Sequence, residues 1–271
     1  MYSEILAERE TPVSAFQKIG TTNCSFLLES MEGGEKWARF SFIGYEPALV
    51  FRSKGKTVEV LKNGIVEQTL EADNPLDLLR DIMQGYQIVE LEDLPRFSGG
   101  AVGYASYDMV RFIEDLPDNT TDDLNIYDSI FLITETILIF DNIRNTIKIV
   151  CHVHLNEHDG DLKEIYKRTQ GKIEDIISIL QRPASYELSE YYGSDPVEVT
   201  SNIEENYFKE VVKRAKEYIK AGDIIQVVLS QRFSTPLQGD PFNIYRALRR
   251  VNPSPYMYYL SFDDLTIVGA S

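Results

Sequence analysis

The sequence predicts an α+β fold in which a sheet-rich first part is followed by a part that contains both helices and strands. Residues 22–70 contain five short β-rich runs. Asn63-Gly64 lies between two of these runs and indicates a hairpin, because both residues tolerate positive φ. Helix-start signals occur at Asn74-Pro75 and Asp240-Pro241, where proline takes the first helical position. Sheet and helix signals therefore coexist along the chain.

A strand, a short helix and a hairpin are predicted after the first of these helices. The glycine-rich run 99–104 is predicted to be a strand whose glycines permit close backbone packing. A phosphate-binding loop is disfavoured there, because Lys-Ser/Thr is missing and no helix opens on the run. Residues 130–155 are predicted to form a long hairpin turned at 141–145. We place a first domain at residues 1–155.

The composition changes after this hairpin. A charged amphipathic helix and a polar stretch predict a helical linker over residues 156–200. A capping-box spacing that starts at Ser201 opens the next helix, and the apolar run 224–233 is predicted to be a strand. Residues 201–271 are therefore assigned to a second domain.

The last twenty residues predict a two-stranded ribbon. Pro253 and Pro255 exclude a helix at this point, and the aromatic run 256–260 is typical of a strand. Asp263-Asp264 supplies a turn before a returning strand. A two-stranded ribbon with this many apolar residues needs further partner strands, and the sequence offers none beyond Ser271. We therefore expect the chain to be truncated within its second domain.

Composition excludes several classes of function. A net charge of −16 argues against nucleic-acid binding, which requires a basic surface. No apolar run has the length of a membrane span, and the start lacks a signal-peptide pattern, so no membrane partner is expected. Cys24 and Cys151 are interpreted as reduced thiols of a cytoplasmic protein. His152 and His154 lie on one face of a strand, which permits a metal pair, but an exposed strand end is favoured.

Five blocks of sequence, taken in order, carry a family resemblance. They are Leu27-Leu28-Glu29-Ser30, Trp37 to Gly44, Gly99 to Tyr104, Asp223 to Phe233 and Asn252 to Ser271. These blocks resemble the anthranilate synthase component I family, which uses chorismate in tryptophan biosynthesis. The resemblance implies a sheet-rich N-terminal domain packed on the beginning of a chorismate-binding α/β sandwich domain, truncated at the C-terminus.

The resemblance also implies a reaction. Family members are lyases that convert chorismate and ammonia to anthranilate and pyruvate, and L-tryptophan inhibits them by feedback. The ammonia comes from glutamine through a glutamine amidotransferase partner subunit (anthranilate synthase component II), in a heterotetramer. Mg²⁺ and the acid–base groups act in a Pro-Ile-Ala-Gly-Thr-Arg segment and beyond it. This sequence has no Gly-Thr-Arg and no histidine after His158. We therefore expect no catalytic or metal residue here, and no activity from this chain alone.

The family's inhibitor site is expected in this chain. The resemblance places Ser30 on one arm of the L-tryptophan site and Pro255, Tyr256 and Met257 on the other. Tyr and Met offer a polarizable apolar surface to an indole ring, and proline leaves a carbonyl without a competing N–H. The alternative is that 256–260 is only a core strand. Because the two arms fall in different predicted domains, L-tryptophan is expected to bridge them.

Three charged residues are secondary candidates for the same site. Glu29 is a plausible counter-charge for the ligand's ammonium group, and Arg39 and Lys36 are candidates for its carboxylate. Successive strand residues point to opposite faces. Glu29 and Ser30 can therefore serve one ligand only if the strand bends or if one of them contributes its backbone.

Two other functions remain open from the sequence. Aminodeoxychorismate synthase component I, of the folate pathway, shares most of the blocks. It differs chiefly by a lysine in place of the alanine of the Pro-Ile-Ala-Gly-Thr segment, which this sequence does not contain. The more distant alternative is a non-catalytic module that binds aromatic amino acids.

Overall fold

The structure is a computed structural model that describes residues 1–20, 23–31, 39–89, 91–155, 161–183 and 197–271. The helices are α1 (Pro12–Ile19), α2 (Pro75–Gln84), α3 (Leu162–Leu180), α4 (Glu205–Ala221) and α5 (Pro241–Val251), with a 3₁₀ turn at Tyr107–Phe112. The strands are β1 (Tyr2–Leu6), β2 (Cys24–Glu29), β3 (Phe40–Tyr45), β4 (Pro47–Lys54), β5 (Thr57–Lys62), β6 (Ile65–Glu71), β7 (Ala101–Ala105), β8 (Ser129–Thr134), β9 (Thr136–Asp141), β10 (Thr146–Cys151), β11 (Thr200–Ser201), β12 (Phe233–Ser234), β13 (Met257–Phe262) and β14 (Leu265–Ala270).

Two antiparallel sheets organise most of the described chain. A seven-stranded sheet has the order β1-β10-β9-β3-β2-β13-β14, and a five-stranded sheet has the order β6-β5-β4-β8-β7. The two-residue strands β11 and β12 form a separate pair. This mixture of helices and antiparallel sheets confirms the predicted α+β class.

The seven-stranded sheet is covered on both faces. Side chains alternate along each strand, so Leu27 of β2 packs in a buried cluster that includes side chains of α1, α3 and α5, among them Phe16 and Tyr245. Phe26, the preceding residue, packs on the opposite face with Leu132 of the five-stranded sheet. The sheet therefore lies between a helical layer and the second sheet.

Several local predictions are confirmed. Asn63 and Gly64 have positive φ of 50° and 75° in the turn between β5 and β6. The side chain of Asn74 accepts a hydrogen bond from the backbone N–H of Leu76 and caps α2. Gly222 ends α4 in the left-handed region, with φ of 83°. Turn and cap chemistry depends on neighbours in sequence, so a local pattern suffices to find it.

The predicted hairpin over 130–155 is wrong in its first half. β8 pairs with β4 in the five-stranded sheet, whereas β9 pairs with β3 in the seven-stranded sheet. The chain therefore changes sheets between Thr134 and Thr136. Only β9 and β10 form the expected hairpin, with Asp141 opposite Thr146. An alternating pattern identifies a strand but does not name its partner.

The strand predicted for 224–233 is also wrong. In this run only Phe233 is in a strand, and Ile225 and Val228 are 96% and 82% exposed. An apolar run becomes a strand only beside another strand, and among the described strands only β11 pairs with this run, at Phe233. Likewise, α4 is capped by the side chain of Glu204, not by Ser201.

The chain divides into two compact units, residues 1–185 with 242–271 and residues 186–241. This division differs from the predicted boundaries, because α3 and the final hairpin both belong to the first unit. The ribbon of β13 and β14 does have a further partner. Its first strand pairs with β2 in six residue pairs, from Met257 opposite Glu29 to Phe262 opposite Cys24.

Candidate functional site

The ladder between β2 and β13 brings the two predicted arms of the site together. Glu29 lies opposite Met257 in this ladder. Just beyond it, the backbone N–H of Met31 donates to the carbonyl of Ser254 at 3.0 Å. Ser30 therefore lies between a pairing with Met257 of the second arm and a hydrogen bond to Ser254, the residue that precedes this arm. Residues far apart in the sequence become neighbours because β13 adds to the first sheet.

A cavity of about 760 Å³ lies at this end of the ladder. Its lining residues are Leu28, Glu29, Ser30, Arg39, Phe40, Phe42, Pro255, Tyr256, Met257 and Tyr258. Six of the seven predicted site residues are among them, and the seventh, Lys36, lies outside the described residues. All of the lining residues belong to the first compact unit. A ligand in this cavity would therefore contact one compact unit, and bridging of two domains by L-tryptophan stays a prediction.

The cavity combines an apolar wall with a small polar set. Its volume falls in the usual range for small-molecule sites, roughly 300–1,000 Å³. Leu28, Phe40, Phe42 and Tyr258 line it but were not singled out from the sequence. The sequence did contain a signal for two of them, because Phe40 and Phe42 lie two residues apart in the Trp37 to Gly44 block and so share one face of a strand. Such a cavity can hold an aromatic ligand that carries a polar end.

The carboxylate of Glu29 is buried, with 4% of the residue exposed. The hydroxyl of Tyr245 donates to its Oε2 at 2.5 Å, and Arg249 Nη2 donates to its Oε1 at 3.3 Å. Arg249 Nε also lies 3.1 Å from Oε2. Burial first, and then the charge of Glu29, raise the pKa of the Tyr245 hydroxyl. The predicted counter-charge is thus already paired with α5.

Arg39 lines the cavity and is also paired. Its Nε and Nη2 donate to Asp141 Oδ2 at 3.1 and 2.7 Å. Burial alone would raise the pKa of the Asp141 carboxyl, but hydrogen bonds from Arg39 and from the backbone N–H groups of Arg144 and Ile143 hold it below its usual value. The guanidinium also lies 4.7 Å from the centre of the Phe40 ring. Two of the five N–H donors of the Arg39 guanidinium therefore bond Asp141 rather than a ligand carboxylate.

The second arm contributes side chains of very different exposure. Met257 is 1% exposed and packs with the helical layer, whereas Tyr256, which also lines the cavity, is 59% exposed. The backbone holds the arm on both sides of Tyr256. Its N–H donates to Ser254 Oγ at 3.3 Å, and its carbonyl accepts from the N–H of Ser271 at 3.0 Å. The position of the arm is therefore fixed by backbone contacts as well as by packing.

A metal site does not fit the described part of the chain. No group of three or more His, Cys, Asp or Glu side chains lies close enough there to hold an ion. The sequence permits a metal pair of His152 and His154. His152 Nε2 instead lies 2.6 Å from the carbonyl oxygen of Ser98 and forms a hydrogen bond with it. The side chains of the described residues therefore do not form a site for a Mg²⁺ ion.

Within the described ranges, no helix has the length and apolar character of a membrane span.

Comparison with known proteins places the chain in a family. The chain belongs to the chorismate binding enzymes, whose family model matches residues 24–271. Among curated proteins it is similar to anthranilate synthase component 1 of Acetivibrio thermocellus, with 42% identity over 99% of this chain and 54% of that protein. The same-named protein of Aquifex aeolicus is 39% identical over 100% of this chain and 54% of its own length. The chain thus spans about half the length of these relatives.

Solved structures agree with this assignment. Anthranilate synthase component I from Streptococcus pneumoniae TIGR4 is 28% identical, with a TM-score of 0.68 over 98% of this chain and 57% of that chain. The menaquinone-specific isochorismate synthase MenF of Escherichia coli is 11% identical, with a TM-score of 0.51 over 100% of this chain and 50% of its own, and supports the fold alone. The predicted family resemblance is confirmed.

Proposed function

We propose that this chain forms part of the large subunit of an anthranilate synthase and holds the L-tryptophan site that regulates it. The observation that supports this most strongly is the single cavity shared by Ser30 and Pro255–Met257. The family resemblance assigns these residues to one ligand. The apolar wall suits an indole ring, and the polar set suits an α-amino acid group.

The whole protein, in this proposal, converts chorismate and ammonia to anthranilate and pyruvate in the cytoplasm. A glutamine amidotransferase subunit delivers the ammonia, and Mg²⁺ is held by residues that match no part of this chain. The relatives named anthranilate synthase component 1 support this assignment. The residues described here serve inhibitor binding rather than catalysis, because their hydroxyl, carbonyl and aromatic groups line a binding cavity without a metal set.

Ser30→Ala is expected to weaken L-tryptophan binding by roughly tenfold or more, because a hydrogen bond to a charged group contributes about 1.5–3 kcal/mol. Calorimetric titration of L-tryptophan into the 271-residue chain would measure this. Ser178→Ala, an exposed position on α3, is the matched control and should bind like the wild type. Unchanged affinity in Ser30→Ala would remove Ser30 from the site, and no binding by the wild type would refute the inhibitor site.

The 271-residue chain is expected to make no anthranilate from chorismate, ammonium and Mg²⁺. It lacks the Gly-Thr-Arg sequence and any histidine after His158, and it spans about half of its relatives. Anthranilate fluorescence is a direct assay, and the whole Acetivibrio thermocellus relative serves as the positive control. Turnover above the uncatalysed background would contradict the proposal that this chain holds the inhibitor site but not the catalytic residues.

A further inference from the structure

The sheet face that walls the cavity carries a row of side chains across six of the seven strands. Residues directly opposite each other on neighbouring strands share one face of a sheet. From β1 to β13, the paired residues of this row are Glu4, Lys148, Ile139, Phe42, Leu28 and Tyr258. The last three of them line the cavity, and the first three do not. Phe42 therefore lies at the boundary of the cavity.

A segment between α2 and β7 covers the part of the row that lies outside the cavity. We call this segment, residues 91–98, the strap. Lys148, which is only 6% exposed, donates from Nζ to the carbonyl oxygen of Asp93 in the strap at 2.8 Å. Leu94 and Phe97 of the strap pack on the buried cluster that includes Ile139. The strap therefore contacts this part of the sheet through both polar and apolar groups.

The strap is held at both of its ends. The ammonium group of Lys148 is buried, so losing the carbonyl of Asp93 as an acceptor would be unfavourable. At the other end, His152 Nε2 lies 2.6 Å from the carbonyl oxygen of Ser98. Lys148 is in β10, and His152 directly follows this strand. Phe97 therefore lies between two points at which the strap is attached to the sheet.

Phe97 meets Phe42 at the boundary of the cavity. The centres of the two rings lie 5.1 Å apart, and their planes cross at 87°. This edge-to-face arrangement is one of the favoured geometries of an aromatic pair. Phe42 lines the cavity, whereas Phe97 does not. Phe97 thus limits the positions of the Phe42 ring from outside the cavity.

We infer that Phe97 is a positioning residue that fixes the ring of Phe42 as a wall for the aromatic ring of the ligand. This inference rests on the proposed function and deepens it, since it assigns a source of the fit to a flat indole ring. Phe97 itself does not touch the ligand in this account. Without the Phe97 ring, Phe42 gains space in which to turn away from the cavity, and its contacts with the ligand are lost.

A double-mutant cycle tests whether Phe97 acts through Phe42. Phe97→Leu is expected to weaken L-tryptophan binding by about three- to tenfold, which corresponds to the contribution of an aromatic pair. Phe42→Leu is expected to weaken binding by at least as much. When Phe97→Leu is added to Phe42→Leu, the affinity is expected to change by less than about twofold, because the ring that Phe97 fixes is already absent. Calorimetric titration into the 271-residue chain measures all four affinities.

Two further variants complete the test. Phe131→Leu removes a ring from another edge-to-face pair, with Phe51 at 6.4 Å, in a described cluster that has no member among the cavity-lining residues. It is the matched control and should bind L-tryptophan like the wild type. Phe97→Met removes the ring and keeps a long apolar side chain. It carries the same cycle if Phe97→Leu proves unfolded by circular dichroism.

The outcomes are distinct. An equal loss from Phe97→Leu with and without Phe42→Leu, or the same loss in Phe131→Leu, would mean that Phe97 only supports the fold. Unchanged affinity in Phe97→Leu or in Phe42→Leu would mean that this pair does not shape the site. Each of these results overturns the inference while the proposed function stands. A wild-type chain that binds no L-tryptophan overturns both. A loss from Phe97→Leu that disappears in the Phe42→Leu background supports the positioning role.

Discussion

Replacing Gly103 with alanine is expected to lower the free energy of unfolding by about 3 kcal/mol, at the upper end of the cost of overpacking. Gly103 lies in β7, opposite Phe131 of β8. A Cβ atom at this position would lie 1.8 Å from the carbonyl oxygen of Ile130 and 2.7 Å from the Cα of Phe131. Both are backbone atoms, so no side-chain rotation relieves the overlap. β7 would have to move away from β8.

Urea denaturation of the 271-residue chain would measure this loss. Gly171→Ala in α3 is the matched control, because a Cβ there meets nothing within 4 Å. The control is expected to raise stability by roughly 0.5–1 kcal/mol, since alanine is favoured over glycine inside a helix. The same glycine-to-alanine substitution should thus lower the free energy of unfolding at Gly103 and raise it at Gly171. A Gly103→Ala chain as stable as the wild type would show that β7 tolerates the shift.

The two glycines illustrate what the sequence can and cannot predict. Close packing of a glycine-bearing strand was predicted from the 99–104 run, and Gly103 confirms it. The atoms that approach were not predicted, because they belong to a strand chosen by the fold. Three elements, β1, α1 and the two-residue β11, were missed altogether. α1 has only eight residues, and its capping pair, Thr11 with Ser14, does not match the Glu or Gln pattern usually sought.

The candidate site divides in the same way. The resemblance predicted both arms, and the structure places them on one cavity, yet L-tryptophan binding itself stays a prediction. The pairing of the Glu29 carboxylate with α5 could not be predicted from the sequence, because it depends on α5 facing the end of β2. The spacing of Tyr245 and Arg249 marks a shared helix face but does not show which strand that face meets. Pairing of Arg39 with Asp141 was missed for a similar reason.

A chain of residues 1–155, the predicted first domain, is expected not to fold cooperatively. Without β13, six residues of β2 would lose their ladder partners and become an exposed edge. Phe16 would lose the rings of Phe242 and Tyr259, whose centres lie 5.0 and 5.3 Å from its own. Losing buried aromatic side chains costs about 3–5 kcal/mol each, which is comparable to the total stability of a typical domain. Thermal unfolding followed by circular dichroism should show no cooperative transition.

A matched chain tests the alternative that any truncation has this effect. It keeps residues 1–185 and 242–271 and replaces 186–241 with a flexible Gly/Ser linker of about 20 residues. Because this chain retains β13, β14 and all of α5 except Pro241, it is expected to unfold cooperatively and to bind L-tryptophan like the 271-residue chain. A cooperative 1–155 chain would instead support the boundaries predicted from sequence. Loss of binding in the linked chain would mean that the cavity depends on residues 186–241, contrary to its lining in the structure.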